Sequence, residues 1–286
     1  MDAVPYAFCS FVVATLHNVS ALQSQISSKI WRKAAAEDNA HNRLEWELRV
    51  GYNNGVWSYQ IERGEEHLSF SEFKKLNKRR VRILHVCVCP FIFGTRSSFE
   101  EIRNLAKLSL PCVNMAKLEL VATRDFPQEE LLNVLSIYRN AAFREVYIAG
   151  SRVPVSDFVL ALNWDYFKKL QLCQRECSSE LKKAIGEFAV QKPCGYLRFQ
   201  VTGVEFDFEF FKELFDKQIV QTERLIFNFS FDFARLKDFK KDLLISSEKL
   251  LQWQRADGVK VEVKHFDRNY LSVGLYLPAR TFRSGV

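Results

Sequence analysis

KLEL, Lys117–Leu120, is one of five short runs whose recurrence decides how this chain folds. The others are EVYI (145–148), KLQL (169–172), YLRF (196–199) and RLIF (224–227). In each run two apolar residues stand at alternate positions, as in a strand that sends every second side chain into a core. Their first members are Leu118, Val146, Leu170, Leu197 and Leu225, separated by 28, 24, 27 and 28 residues. RILHV, 82–86, reads as an earlier member of the series.

Amphipathic segments fill the intervals. SSFEEIRNLAKL (97–108) opens with a capping-box pattern, Ser98 to Glu101. PQEELLNVLSIYRNA (127–141) puts Leu131, Val134, Leu135 and Tyr138 on one helical face, and SSELKKAIGEFA (178–189) does so with Leu181, Ile185 and Phe188. DFEFFKELFDKQ (207–218), with Asp207 as its N-cap, and DFARLKDFKKDLL (232–244) read as further helices. Strand, turn, helix and return every 24 to 28 residues is the period of a leucine-rich-repeat-like solenoid. A non-repetitive α/β layer with the same element order is the alternative. FNFSFDF (227–233) reads as a core strand, and LLQWQRADGVKVEVKHF (250–266) as a hairpin turning at Asp257-Gly258. YLSVGLYL (270–277) adds one more strand, which caps the sheet edge. The concave face of such a repeat is where a partner is expected, on Asn228, Ser230, Asp232, Glu119, Arg198 and Gln200.

Upstream the pattern changes. LEWELRVGYNNGVWSYQI (44–61) alternates on both sides of Asn-Asn-Gly, a hairpin signal because Asn and Gly tolerate positive φ. Residues 62–80 read as a charged linker. Residues 4–40 read as helices, with Pro5 in a first turn, Val12 and Leu16 at helical spacing, and a second start at Ser20. The expected architecture is α/β: a helical module over 1–42, a hairpin and basic linker over 43–80, and a β-α repeat domain over 81–286.

Composition narrows the class. A hydrophobic fraction of 48% and 25 Phe suit a packed globular core. Asp2 beside Met1, and no Lys or Arg before Lys29, argue against a secretory leader. Seven irregularly spaced Cys read as free thiols rather than a disulfide framework. Together with the want of a long apolar run, this leads to the expectation of a cytoplasmic or nuclear protein without membrane partners. The net charge of +7 is concentrated in FKKLNKRRVR (73–82), through Lys74, Lys75, Lys78, Arg79, Arg80 and Arg82. That segment reads as a solvated connector, with phosphate or nucleic-acid contact as the rival.

Chemical motifs are scarce. HVCVC (85–89) puts His85, Cys87 and Cys89 on one strand face, a poor tetrahedral set for zinc. No G-x-S-x-G elbow, P-loop or G-x-G-x-x-G occurs. The reading is a non-enzymatic chain with no cofactor and no metal.

The opening VPYAFCSFVVATL, with VSALQSQISSKIWRKAA after it, resembles an F-box: an apolar-Pro entry at Val4-Pro5, a helix ending at Leu16, and a second helix with Lys29, Trp31 and Arg32. The chain is similar to the nematode F-box and F-box-associated proteins over more of its length, through the Gly55-x-Trp57-Ser58-Tyr59 hairpin and a degenerate α/β remainder. The resemblance implies an adaptor of an SCF-type ubiquitin ligase. Val4, Pro5, Leu16, Leu22, Ile26 and Trp31 would then face a Skp-type adaptor protein, and the repeat domain would hold an unknown protein target. The alternatives are a protein-binding repeat protein outside the ubiquitin system, or a weak nucleic-acid contact through 74–82.

Overall fold

In a computed structural model, the structure describes residues 9, 12, 28–40, 44–78, 81–123, 126–150, 155–192, 194–217, 224–231, 233–239, 243–255, 258–267 and 270–276. The chain is mixed α/β and forms two compact units, the first from residues 1–119 and 125–143, the second from 120–124 and 144–286. No described helix is long and apolar enough to cross a membrane.

The first unit begins with helix α1 (Lys29–Ala40) and the hairpin strands β1 (Leu44–Asn53) and β2 (Val56–Arg63). Asn54 and Gly55 adopt φ of 49° and 80°, so the two-residue turn takes the left-handed geometry that matches strand twist. The segment expected to be a linker is instead structured. Gly64, at φ 59°, turns the chain into a third strand, β3 (Glu66–Leu68), and helix α2 (Phe70–Lys75) follows. A reciprocal cap between Ser69 and Glu72 starts that helix, and fully buried Phe73 anchors it. One apolar anchor among charges leaves almost no periodicity to read.

Strands β4 (Val81–Cys89), β5 (Thr95–Ser97) and β6 (Val113–Val121), with helices α3 (Phe99–Ser109) and α4 (Gln128–Ile137), complete the unit. The strand order is β3-β2-β1-β4-β6, with β5 also on β2. Ser98 Oγ accepts from Glu101 N at 3.2 Å, but the Glu101 carboxylate turns to Ser97 Oγ, so only half of the expected capping box forms. Leu131, Val134, Leu135 and Tyr138 are buried on one face as expected. Tyr138 finds its polar partner in Ser109 at 2.6 Å. Trp57 packs against Tyr52, Phe99 and Phe126, and its indole N–H donates to Glu130 Oε2 at 2.6 Å.

In the second unit β7 (Ala142–Ala149), β8 (Lys169–Gln174), β9 (Tyr196–Val201) and β10 (Arg224–Asn228) run parallel in sequence order. The recurring residues align in register: Val146, Leu170, Leu197 and Leu225 form one row, and Ile148, Leu172, Phe199 and Phe227 the next. Every member of both rows is nearly inaccessible. Helices α5 (Ser156–Ala161), α6 (Ser179–Gln191) and α7 (Phe208–Lys217) connect these strands. Asp207 caps α7 by accepting from Phe210 N at 2.8 Å. Phe210 in turn meets Phe227 at 5.4 Å, which seats α7 on the apolar face of the sheet.

Two expectations fail after β10. FNFSFDF is not one strand: β10 ends at Asn228, Phe229 makes a single bridge to Phe206, and a 3-10 helix starts at Phe233. Phe227, Phe229 and Phe231 meet rings of α7, while Phe233 stacks on His265, so they do not form one strand face. DFARLKDFKKDLL is not one helix either, since Phe233–Asp238 is 3-10 and Leu243–Ser246 is a strand, β11. Phe233 and Leu236 are buried at a spacing of three, the period of the tighter helix. Strands β12 (Leu250–Gln254), β13 (Lys260–Asp267) and β14 (Tyr270–Tyr276) then form the expected antiparallel end, with β14 pairing β10. The outer strand β11 carries a bulge at Leu244, which blunts the edge it adds.

Candidate functional site

Two polar sheet faces stand out, one in each unit. The first depends on an irregularity in β4. Trp46 of β1 pairs with Ile83, yet the next residue, Glu47, pairs with His85. The extra residue, Leu84, reverses which face the following side chains occupy. Arg82 and His85, three residues apart, therefore both lie opposite the carboxylate face of β1. Cys87 and Cys89 continue that face opposite Arg49 and Gly51, so the expected one-sided placement of His85, Cys87 and Cys89 is observed.

An ion-pair lattice results. Arg49 bridges Glu47 at 3.0 Å and Glu62 at 2.7 Å, Arg82 lies 3.8 Å from Glu45, and Lys117 lies 2.6 Å from Glu119. His85 sits between two carboxylates, with Nδ1 3.6 Å from Glu47 and Nε2 3.4 Å from Glu119. Burial, and then the charge of Lys117, hold its imidazole below the ordinary 6.5 despite those carboxylates. Glu119 is pushed up by burial, but the hydrogen bond and charge of Lys117, together with His85, outweigh this and keep it below the usual carboxylate range. The neighbouring Cys89, followed by burial, pushes the Cys87 thiol up, so it is a protonated thiol rather than a thiolate nucleophile. Among the described residues no group of three or more His, Cys, Asp or Glu side chains is arranged to hold a metal ion. What this face offers is a pattern of alternating charge.

The depressed imidazole makes the stability of this unit pH-dependent. Unfolded, His85 takes up a proton near pH 6.5; folded, it resists, so acid favours the unfolded chain. The contribution is complete above the unfolded value and is lost as pH falls through the folded one. Urea midpoints of the wild type are expected to fall between pH 7.5 and about 5.5, above the carboxylate range, and His85→Gln to fall less. Equal slopes would refute the assignment.

The second face lies on β7 to β10, opposite the apolar rows. Tyr147, Gln171, Arg198 and Ile226 align across it, and Ala149, Cys173 and Gln200 form the next row. Arg198 Nε donates to Gln200 Oε1 at 2.5 Å, and the Cys173 thiol approaches the same oxygen at 3.8 Å. Arg198 and Gln200, expected on this face, are thus adjacent. Glu119 belongs to the first unit's lattice, Asn228 is buried, Ser230 bonds back to Phe206 O, and Asp232 lies outside the described residues.

The basic segment is divided by the fold. Lys74 and Lys75 are exposed in the last turn of α2. Lys78 lies over the Phe73 ring and donates to its carbonyl, and the Arg82 side chain is only 7% exposed beside Glu45. Arg79 and Arg80 lie outside the described residues. In the N-terminal region Val4, Pro5, Leu16, Leu22 and Ile26 also lie outside them. Trp31 is half-buried with Ile30, against Cys9, Ala34 and Ala35. All seven cysteines are free; Cys112 and Cys194 are pushed up to about 11 by burial.

The loop after β4 carries residues that no pattern marked. Phe91 and Ile92 are 61% and 44% exposed at its tip. Phe93 N–H donates to Ser58 Oγ at 3.0 Å, and the Arg49 guanidinium lies 5.9 Å from the Phe93 ring. The loop passes so close to β1 that a side chain at Gly51 would meet Phe91 O. A run of Pro-Phe-Ile-Phe-Gly was the one available signal.

No known family's sequence pattern matches the chain. No characterised protein matches it in sequence.

Proposed function

We propose that the chain is a protein-interaction module, an F-box-like substrate adaptor of an SCF-type ubiquitin ligase. In this reading residues 1–42 form the F-box-like module that docks a Skp-type adaptor, and a leucine-rich-repeat-like domain holds the target. The adaptor performs no bond chemistry. It raises the local concentration of a target next to the enzyme that does.

The observation that carries the binding role is the in-register polar face of β7 to β10. Side chains from strands apart in sequence are aligned there by backbone pairing, and Tyr147, Gln171, Arg198, Cys173 and Gln200 remain partly exposed. The resemblance of Val4-Pro5 and of the Lys29-x-Trp31-Arg32 helix to an F-box supports the ubiquitin part. Pull-down of a Skp-type adaptor by the full chain is expected, with loss in Val4→Asp and Trp31→Ala variants whose circular dichroism matches wild type. No capture by the wild type removes the ubiquitin role.

One observation favours a second reading. Trp31 and Ile30 pack against Cys9, Ala34 and Ala35 of the same chain, as in a helix that serves its own fold. A protein-binding module outside the ubiquitin system would leave the adaptor uncaptured while the target is still bound.

A further inference from the structure

Arg198 stands at the centre of the second unit's polar face without a counter-charge among the described residues. The residues directly opposite it are Gln171 on β8 and Ile226 on β10, neither of them acidic. Lys169 lies diagonally from it, and that cation is occupied by Glu145 at 3.3 Å. The single described partner of the Arg198 guanidinium is Gln200 Oε1, which takes the Nε–H at 2.5 Å. Its two terminal nitrogens make no hydrogen bond or ion pair with any described residue.

This arginine is also held in place. Gln200 Oε1 receives the Cys173 thiol at 3.8 Å in addition to Arg198 Nε, and Gln171 Nε2 points at Cys173 Sγ at 3.6 Å. The sulfur contacts are weak, but the chain Gln171–Cys173–Gln200–Arg198 fixes the guanidinium from the side, leaving its fork free. Burial adds to the effect, since a half-buried cation sits in a lower dielectric than one in water and attracts an anion more strongly. Asn228, two residues beyond Ile226 and on the same side of β10 by strand alternation, is 7% exposed with its Oδ1 unpartnered. A donor fork and an orphan acceptor on neighbouring strands therefore share one sheet face.

We propose that Arg198 is the anchor of an oxyanion subsite, which takes a carboxylate or phosphate group carried on an extended peptide of the target. A planar guanidinium whose Nη1 and Nη2 are both available binds two oxygens of such a group side by side. Asn228 Oδ1 accepts an N–H from the same ligand, and Tyr147 and Tyr196 flank the path across the strands. The proposal rests on the reading of this face as the target surface. It is independent of whether residues 1–42 bind a Skp-type adaptor.

The test follows the arginine side-chain Nε–H resonances of the isotope-labelled full chain by NMR. The probes are inorganic phosphate and acetate, with sodium chloride at matched ionic strength as control. Saturable displacement of one Nε–H signal is expected, and that signal is absent from Arg198→Gln. Arg198→Lys, which keeps the charge but not the fork, is expected to bind at least about tenfold more weakly. Phosphate saturating well below acetate identifies a phosphorylated target, and the reverse a carboxylate. Displacement equal to that in chloride, or unchanged in Arg198→Gln, overturns the subsite. Adaptor pull-down by Arg198→Gln is expected to be unaffected, so failure of the subsite and failure of the adaptor reading are told apart.

Discussion

Phe211→Ala is expected to destabilise the second unit by about 3–5 kcal/mol, the range for emptying a buried phenylalanine site. Phe211 is fully inaccessible on α7. Its ring lies 5.4 Å from Phe239, 5.9 Å from Phe231 and 6.1 Å from Phe229, all in edge-on geometries that suit the aromatic quadrupole. These neighbours come from the bridge after β10, the bend that follows it and the residue just past the 3-10 helix, so no single movement closes the cavity. Domains of this size are stable by about 5–15 kcal/mol, so the loss is a large share of the total. Phe91→Ala, at the 61% exposed loop tip, is the control and is expected to cost less than about 0.5 kcal/mol. Urea unfolding followed by circular dichroism measures both. A loss below about 1 kcal/mol at Phe211 would mean that the phenylalanine cluster is not the core it is taken to be.

Gly51→Ala is expected to be the most damaging small substitution in the first unit. An added Cβ would lie 1.8 Å from Phe91 O and 2.8 Å from Ser58 Oγ. The first contact is with backbone, so no side-chain rotation relieves it. Loop 90–94 has to move away from β1, which breaks the Phe93 N–H bond to Ser58 and the approach of Phe93 to Arg49. Overpacking of this kind costs about 1–3 kcal/mol, and the lost hydrogen bond adds about 1 kcal/mol. Gly55→Ala contrasts with it: nothing lies within 4 Å of the added carbon, and the cost there comes only from φ of 80°. Thermal unfolding of the two variants separates a steric cause from a conformational one. Equal losses would contradict the close approach.

The recurring strands were legible because burial in a sheet has a period of two and each run kept it. Leu118, Leu120, Leu170 and Leu172 announce themselves without any knowledge of their neighbours, and all four are inaccessible. The Asn54-Gly55 turn was legible for a different reason: few residue pairs accept positive φ twice. Strand β3 and helix α2 were not, because three residues carry no periodicity and Phe73 is a single anchor among lysines. The bulge at Leu84 left no trace in composition, although it decides which face His85 occupies.

The polar faces were harder still. Glu47, His85 and Glu119 lie on three strands and meet only once β4 stands between β1 and β6. Arg198 and Gln200 were legible as outward residues of their strand. That Arg198 has no acidic residue directly opposite it on either neighbouring strand depends on the register with Gln171 and Ile226, which local sequence does not encode. Lys78 and Arg82 show the converse. Both looked like solvated charges, yet one covers a Phe ring and the other is buried beside Glu45. Long basic side chains readily lay their stems on apolar surface, so a run of cations in sequence need not be a patch in space.

The central claim is that this chain binds proteins and brings them to a ligase. Calorimetric titration of the purified full chain with a purified Skp-type adaptor tests it most directly. The account predicts saturable one-to-one binding with a Kd on the order of 1 μM or tighter, retained in Arg198→Gln. Heats of dilution alone, with adaptor at about a hundred times that concentration, would contradict it.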